Sequence, residues 1–525
     1  MNAPTTHAST DAKRRPLLVA AFGFLTLGLI CCLVYSGLFV LDFGVPASLA
    51  DSPFGRFMDP GAVETMASFS EVIVGVLGIA ITVVAIIVEL AANRYTPRIT
   101  ELFLRDPINI AVLSSYVVIS VLVIWIDMSL YGDTHPHSMV LASVTLMSLA
   151  LLTILPYFSY VFDFLSPAGV IDHIRRSGTR EIERIASGRG DLDRARTQLI
   201  HAIEQLGDIA NNSVEQQDKP IALDCLTALA ALANQHLATK SELPDAWFES
   251  ASLVRSDQDF AALHPDMVRA LSARKTWVEM KILRQYQSVF SASLHKLRDV
   301  NHLVGIHTRR IALAAMDHGD EHSAQLSIRF LNTYLRATIN GRDVRSAYNL
   351  LNEYRLLTEH ALTTQRYDDL DMLADHFRFY GQLAFKSQLA FVLEIVAYDL
   401  CAVLEQAHAH HAPCHDALLT LFLDLDREPE GAGSQESSLR GVRKAQVKLA
   451  TYYLVHDATG HARRIFEDMQ SEKVDRLKSI RDELRSVKDV EYWEVVDRGI
   501  NFDYLDDARR AQLATFFAWF PWSVG

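Results

Sequence analysis

Residues 17–41, LLVAAFGFLTLGLICCLVYSGLFVL, carry no charge, and no other stretch of the chain restricts its fold as strongly. As a helix this run rises roughly 37 Å, enough to cross a hydrocarbon core of about 30 Å with some tilt. Three further apolar stretches follow in the first third. Residues 72–92 are apolar except for Glu89 near their end. Residues 110–126 are short and reach spanning length only by continuing through Asp127 to Tyr131. Residues 139–162 contain Pro156, which removes one backbone hydrogen bond and predicts a kink. The expected class is therefore all-α: a tail over residues 1–16, then a four-helix transmembrane domain over 17–165 with spans at 17–41, 72–92, 110–131 and 139–162.

Basic residues beside the spans set the expected orientation. Lys13, Arg14 and Arg15 precede the first span, and the loop that follows it has only Arg56. Arg94, Arg98 and Arg105 lie between the second and third spans, residues 132–138 have none, and Arg175, Arg176, Arg180 and Arg184 follow the fourth. The alternation places both termini in the cytoplasm of a multi-pass membrane protein. Ser48-Leu49-Ala50 offers a signal-peptidase site as an alternative, but the first apolar run is longer than the usual ~7–15 residue signal core.

Charge separates the rest of the chain from this region. Residues 1–165 hold 7 of the 50 Lys and Arg and 12 of the 63 Asp and Glu, which leaves 43 and 51, a net of −8, for the remaining 360 residues. A mixed, slightly acidic surface suits a domain facing the cytosol and excludes the clustered positive field of a nucleic-acid groove. The five cysteines follow no CxxC pattern, as expected in a reducing compartment.

Past Ser166-Pro167 the pattern is amphipathic helix. Trp277, Met280, Leu283, Tyr286, Phe290, Leu294 and Leu297 step by three or four along one face. Strand signals are nearly absent, and breaks are expected at residues 242–245, 317–321 and 427–438. Residues 449–469 resemble a tetratricopeptide-type hairpin without a clean ~34-residue period elsewhere. The expected organisation is a cytoplasmic helical domain over 166–426, an irregular solenoid or a bundle, then a flexible loop over 427–438 and a helical-repeat-like segment over 439–525. The aromatic tail, Phe516, Phe517, Trp519, Phe520 and Trp522, is expected to dock on the protein's own core.

Two intramembrane carboxylates are the candidate polar lining of a pore, Glu89 and Asp127, each costly in lipid unless it faces protein or water. The competing reading places both at the interface, with Glu89 beside Asn93 or Arg94. Arg94, Tyr95, Pro97 and Arg98 suit a helix end among anionic headgroups, as does Arg105, and Asp106-Pro107 restarts a helix. His408, His410, His411, Cys414 and His415 have ligand-like composition, but the Ala-His alternation before Pro413 reads as a helix end, and no metal or other cofactor is expected. His318 and His322 are four apart, but Gly319 stands where HExxH needs glutamate. No phosphate loop, dinucleotide fingerprint or nucleophile elbow is present, so no catalytic residue is nominated.

Residues 81–106, ITVVAIIVELAANRYTPRITELFLRD, resemble the signature of a bacterial family of predicted membrane proteins, domain of unknown function 2254. Leu90-Ala91, Tyr95, Pro97, Arg98 and Arg105-Asp106 match its pattern, and residues 218–226, DKPIALDCL, echo a later motif. The family pattern has Gln in place of Glu89 and Arg94, which weakens an essential role for either charge. The resemblance implies the membrane architecture and no activity. The expected function is an oligomeric ion- or solute-conducting pore with a regulatory helical domain. The alternative is a membrane-anchored scaffold or sensor that binds a cytoplasmic protein. The bilayer and further copies of the chain are the expected partners, and nucleic acid is not.

Overall fold

The computed structural model describes residues 60–94, 103–104, 106–129, 137–249, 263–426, 436–491 and 501–521, with single positions at 100, 257, 260, 498 and 499. All regular structure among them is helical. The chain divides into two compact units, residues 1–172 and 173–525.

In the first unit, α1 (Pro60–Arg94), α2 (Pro107–Ser129) and α3 (His137–Phe164) pack against one another. They carry the expected spans at 72–92, 110–131 and 139–162, with α1 starting earlier, at Pro60, and the other ends moved by a few residues. Pro156 lies inside α3. The first expected span, residues 17–41, and the sites near Ala50 lie outside the described residues. Each helix buries one stripe: Ala80, Val84, Val88 and Ala91 on α1; Asn109, Tyr116 and Val123 on α2; Met147, Ala150, Tyr157 and Val161 on α3. These positions recur every three, four or seven residues, the spacing of one helical face. The remaining faces stay bare, with Ile79, Ile86, Leu90, Val117, Trp125, Leu155 and Phe162 all exposed. Such surface is unfavourable in water and natural in a bilayer, where lipid tails are as apolar as the side chains.

Hydropathy alone marks a fourth helix as long and apolar enough to span, Lys219–Glu242, but its packing is different. In that window 61% of residues are buried by protein, against 17–22% in the windows of α1, α2 and α3. It belongs to the second unit, which begins within α4 (Pro167–Ala186) and continues through α5 (Leu192–Glu215), α6 (Lys219–Thr239) and a single turn, α7 (Asp245–Phe248). A further short helix, α8 (Pro265–Ala273), precedes α9 (Trp277–Ser293). The core of α6 is covered by α5, α9 and α10 (Arg298–Asp317). The face that begins at Trp277 ends sooner than expected, because His295 adopts φ +66° and closes α9 at Ser293, which puts Leu294 and Leu297 in the connection.

From α10 onward the array is regular. Then come α11 (Glu321–Asn340), α12 (Val344–Thr363), α13 (Tyr367–Lys386) and α14 (Ala390–Ala409). All five have 20 residues and start at 298, 321, 344, 367 and 390, so each begins 23 residues after the last. Each ends in the same turn: in the first, Asp320 N–H donates to Ala315 O (2.8 Å) and Gly319 N–H to Met316 O (3.1 Å), with Gly319 left-handed at φ +69°. The equivalent left-handed residues are Arg342, Gln365, Gln388 and His411. The carbonyl closing each turn belongs to a small buried residue, Ala315, Thr338, Ala361, Ala384 or Ala407, which lets neighbouring helices approach.

The array continues with α15 (His415–Leu423), α16 (Glu436–Val455), α17 (Thr459–Asp468), α18 (Val474–Ser486) and α19 (Asp507–Phe517). Residues 436–438 of the expected loop are the start of α16, and 427–435 lie outside the described residues. Helices α6, α10, α12, α14 and α16 pack in succession as one row, and α5, α9, α11, α13 and α15 as a second, the layout of a helical solenoid. Phe516, Phe517 and Phe520 are buried, with Phe520 edge-on to Phe466 at 4.8 Å, and Trp522 lies outside the described residues.

Candidate functional site

The row of α10, α12, α14 and α16 carries charges in positions a plain core would fill with hydrocarbon. Arg309 Nε lies 2.6 Å from Glu353 Oε2 and joins α10 to α12, Arg355 Nε lies 3.7 Å from Asp399 Oδ1 and joins α12 to α14, and Lys444 Nζ lies 3.3 Å from Glu394 Oε1 and joins α16 to α14. A buried charge is tolerated only when paired, so each bridge also fixes the register of two neighbouring helices.

A non-helical segment of the same chain, residues 498–505, lies on this row. Arg498 Nη1 donates to Asp399 Oδ1 at 2.5 Å and Nη2 to the Tyr348 carbonyl at 2.6 Å, with the guanidinium 4.3 Å from the centre of the Tyr348 ring. Phe502 stacks on Tyr398, ring centres 4.9 Å apart and planes within 14°. Asp503 accepts from the Tyr398 hydroxyl at 2.5 Å and from Lys444 Nζ at 2.9 Å, and Lys448 Nζ donates to the Phe502 carbonyl at 2.8 Å. Leu505 is fully buried. Burial pushes the Asp399 carboxyl up to about 6, against the pull of Arg498 and Arg355. The surface thus takes a segment that turns at residues 501–504 and offers a guanidinium at one end and an aromatic ring followed by a carboxylate at the other.

None of the residues singled out in the sequence belongs to this surface. Glu89 is exposed on α1, between buried Val88 and Ala91. Asp127 and Arg94 fall within α2 and at the end of α1, but their side chains lie outside the described residues, as do Tyr95, Pro97, Arg98 and Arg105. Asp106 caps α2 as expected: its Oδ1 accepts from Ile108 N (3.0 Å) and Asn109 N (3.2 Å), and also from the Tyr160 hydroxyl of α3 (2.7 Å).

The five ligand-like residues divide. His410 and His411 are exposed in the turn after α14, and Cys414 is the buried residue before α15. His408 and His415 face each other, ring centres 5.5 Å apart, and are joined by His461 from the first turn of α17 and by Tyr452, Tyr453 and His456 from the end of α16. Burial and the neighbouring His461 and His408 rings hold His415 down to about 4, so it is a neutral imidazole at neutral pH.

Residues 14–241 match the model of a predicted membrane protein family, DUF2254. The DUF2254 match therefore takes in α1 to α3 and continues through α6, whose first turn, at Asp218 and Pro220, carries the second motif. Cys225 and Leu226 of that motif are buried against the helices that cover α6. The 23-residue array lies beyond the DUF2254 region. No curated protein and no solved structure matches the chain.

Proposed function

We propose that this chain is a membrane-anchored helical-repeat module of a bacterial inner membrane, with both termini cytoplasmic, that holds a short segment of a partner protein on the row of α12, α14 and α16. The basic residues flanking the spans support the orientation. The single observation that carries the reading is residues 498–505, which engage the row through one guanidinium, one stacked ring and one carboxylate. A partner segment with the same three groups at the same spacing competes with them, and the chain's own segment sets the threshold for capture.

The test uses the full chain in detergent. A labelled peptide of residues 496–507, VDRGINFDYLDD, is titrated onto the native chain and onto a variant with Arg498→Ala, Phe502→Ala and Asp503→Ala. Saturable binding to the variant, at least about tenfold tighter than to the native chain, is the expected result. Equal binding to both, or none to the variant, removes the reading. A second reading, an oligomeric pore, rests on the exposed position of Glu89 among exposed Ile81, Val83, Ile86 and Leu90 of α1, since a carboxylate there favours cover by another subunit. Ion flux in liposomes that is lost in Glu89→Leu would favour it.

A further inference from the structure

We infer that His415, Asp416 and His461, with His408 as the fourth donor, form a binding site for one zinc-like divalent cation that ties the α14–α15 turn to the α16–α17 turn. Donor atoms of His415, Asp416 and His461 all lie within 4.8 Å of one another. His461 Nε2 stands 3.3 Å from Asp416 Oδ1, which is the separation of about 3.3 Å that two ligands take around a tetrahedral ion with bonds near 2.0–2.1 Å. The His408 ring centre lies 5.5 Å from that of His415 and 5.9 Å from that of His461. Three imidazoles and one carboxylate are the nitrogen-rich, borderline-soft set that selects zinc over magnesium or calcium.

The surroundings agree with this assignment. The Tyr453 hydroxyl lies 2.7 Å from His415 Nε2 and fixes that ring, as hydrogen bonds behind metal-bound histidines commonly do. Arg464 opposes a cation, with Nη1 2.7 Å from Asp416 Oδ1, but its Nη2 also donates to Thr420 Oγ1 at 2.7 Å, so a partner remains when Asp416 turns to the ion. His456, in contact with Tyr452 at 4.4 Å between ring centres, is exposed at the rim. Sequence spacing hid the site, because His461 follows His415 by 46 residues, two periods of the array. The inference does not depend on what occupies the α12–α14–α16 row.

The experiment takes the full chain in detergent, stripped with a chelator and then titrated with Co²⁺ and with Zn²⁺ against a chromophoric competitor. One equivalent per chain, with the visible absorption of four-coordinate Co²⁺, is expected. Affinity should fall at least about tenfold in His461→Ala and in Asp416→Ala and stay unchanged in a His410→Ala, His411→Ala double variant. His415 is buried and its removal tests folding as well as binding. The half-exposed His461 and the exposed Asp416 are therefore the deciding positions, with helical circular dichroism confirming that each variant is folded. Absence of a stoichiometric ion, or affinity that His461→Ala and Asp416→Ala leave unchanged, overturns the inference. Equal losses in the His410, His411 double variant overturn it as well.

Discussion

Arg342, Gln365 and Gln388 hold the left-handed position of successive helix ends, at φ +56°, +58° and +61°, and all three side chains are exposed. An L-residue pays about 1–2 kcal/mol for that conformation, through the clash of Cβ with the following carbonyl. Glycine has no Cβ, but its greater freedom in the unfolded chain offsets about 0.4–1 kcal/mol of the gain. Each of Arg342→Gly, Gln365→Gly and Gln388→Gly is therefore expected to stabilise the array by about 0.5–1 kcal/mol. Together they should add about 1.5–3 kcal/mol, since the sites lie on separate turns. The mirror experiment is Gly319→Ala, where φ is +69° and open space surrounds a built Cβ, so the cost is conformational and amounts to about 1 kcal/mol. Thermal unfolding of the full chain, followed by helical circular dichroism, measures both. Destabilisation by all three glycines, paired with a silent Gly319→Ala, would refute the assignment of a repeated left-handed turn, because glycine at an ordinary helical position costs about 0.5–1 kcal/mol instead.

Two further outcomes follow from buried polar groups. Trp247 Nε1 donates to His236 Nε2 at 3.2 Å, so the imidazole carries its proton on Nδ1 and donates it to Glu279 Oε1 at 2.7 Å. Glu279→Ala removes that acceptor and one of the carboxylates facing Lys240, and should cost about 3–5 kcal/mol in a denaturant titration; a loss under about 1 kcal/mol would show that the cluster is not buried as described. Burial also holds both His307 and His415 down to about 4, below their ordinary 6.5. A lowered histidine stabilises the fold fully above the unfolded value and loses that contribution as pH falls from 6.5 toward 4, by up to about 3 kcal/mol each. Glu279, held at about 2, titrates below this window. Denaturation midpoints measured with a chelator present should therefore fall between about pH 7 and pH 5, and a flat profile would contradict the burial of both rings.

The spans were legible because a membrane helix announces itself in composition, and α1, α2 and α3 all end within a few residues of the apolar runs. The Asp106 cap was legible for the same local reason. The 23-residue period was not, since only Gly319 among its five left-handed positions is a glycine and the others read as ordinary polar residues. The small residues at 315, 338, 361, 384 and 407 were the one periodic trace of it. The surface beneath residues 498–505 joins Tyr348, Asp399 and Lys444 to a segment up to 150 positions away, a pairing that helical periodicity does not encode. His415 and His408 were singled out from local composition, whereas His461 joined them only through the packing of two turns.

The apolar character of α6 bears on how the protein is made. Of the helices that cover it most, α5 precedes it in the chain, and α9 and α10 follow. A nascent chain that has just completed Thr239 thus presents the insertion machinery with a segment of near-spanning hydropathy and half of its protein shield missing. Lodging it in the bilayer would change the parity of the crossings and strand the whole array on the opposite face. Asp224, exposed on α6, weighs against that outcome by up to about 3 kcal/mol, and Lys219 at its start adds to the barrier. In this light Asp224 disfavours a membrane placement of α6 whether or not the later helices have formed.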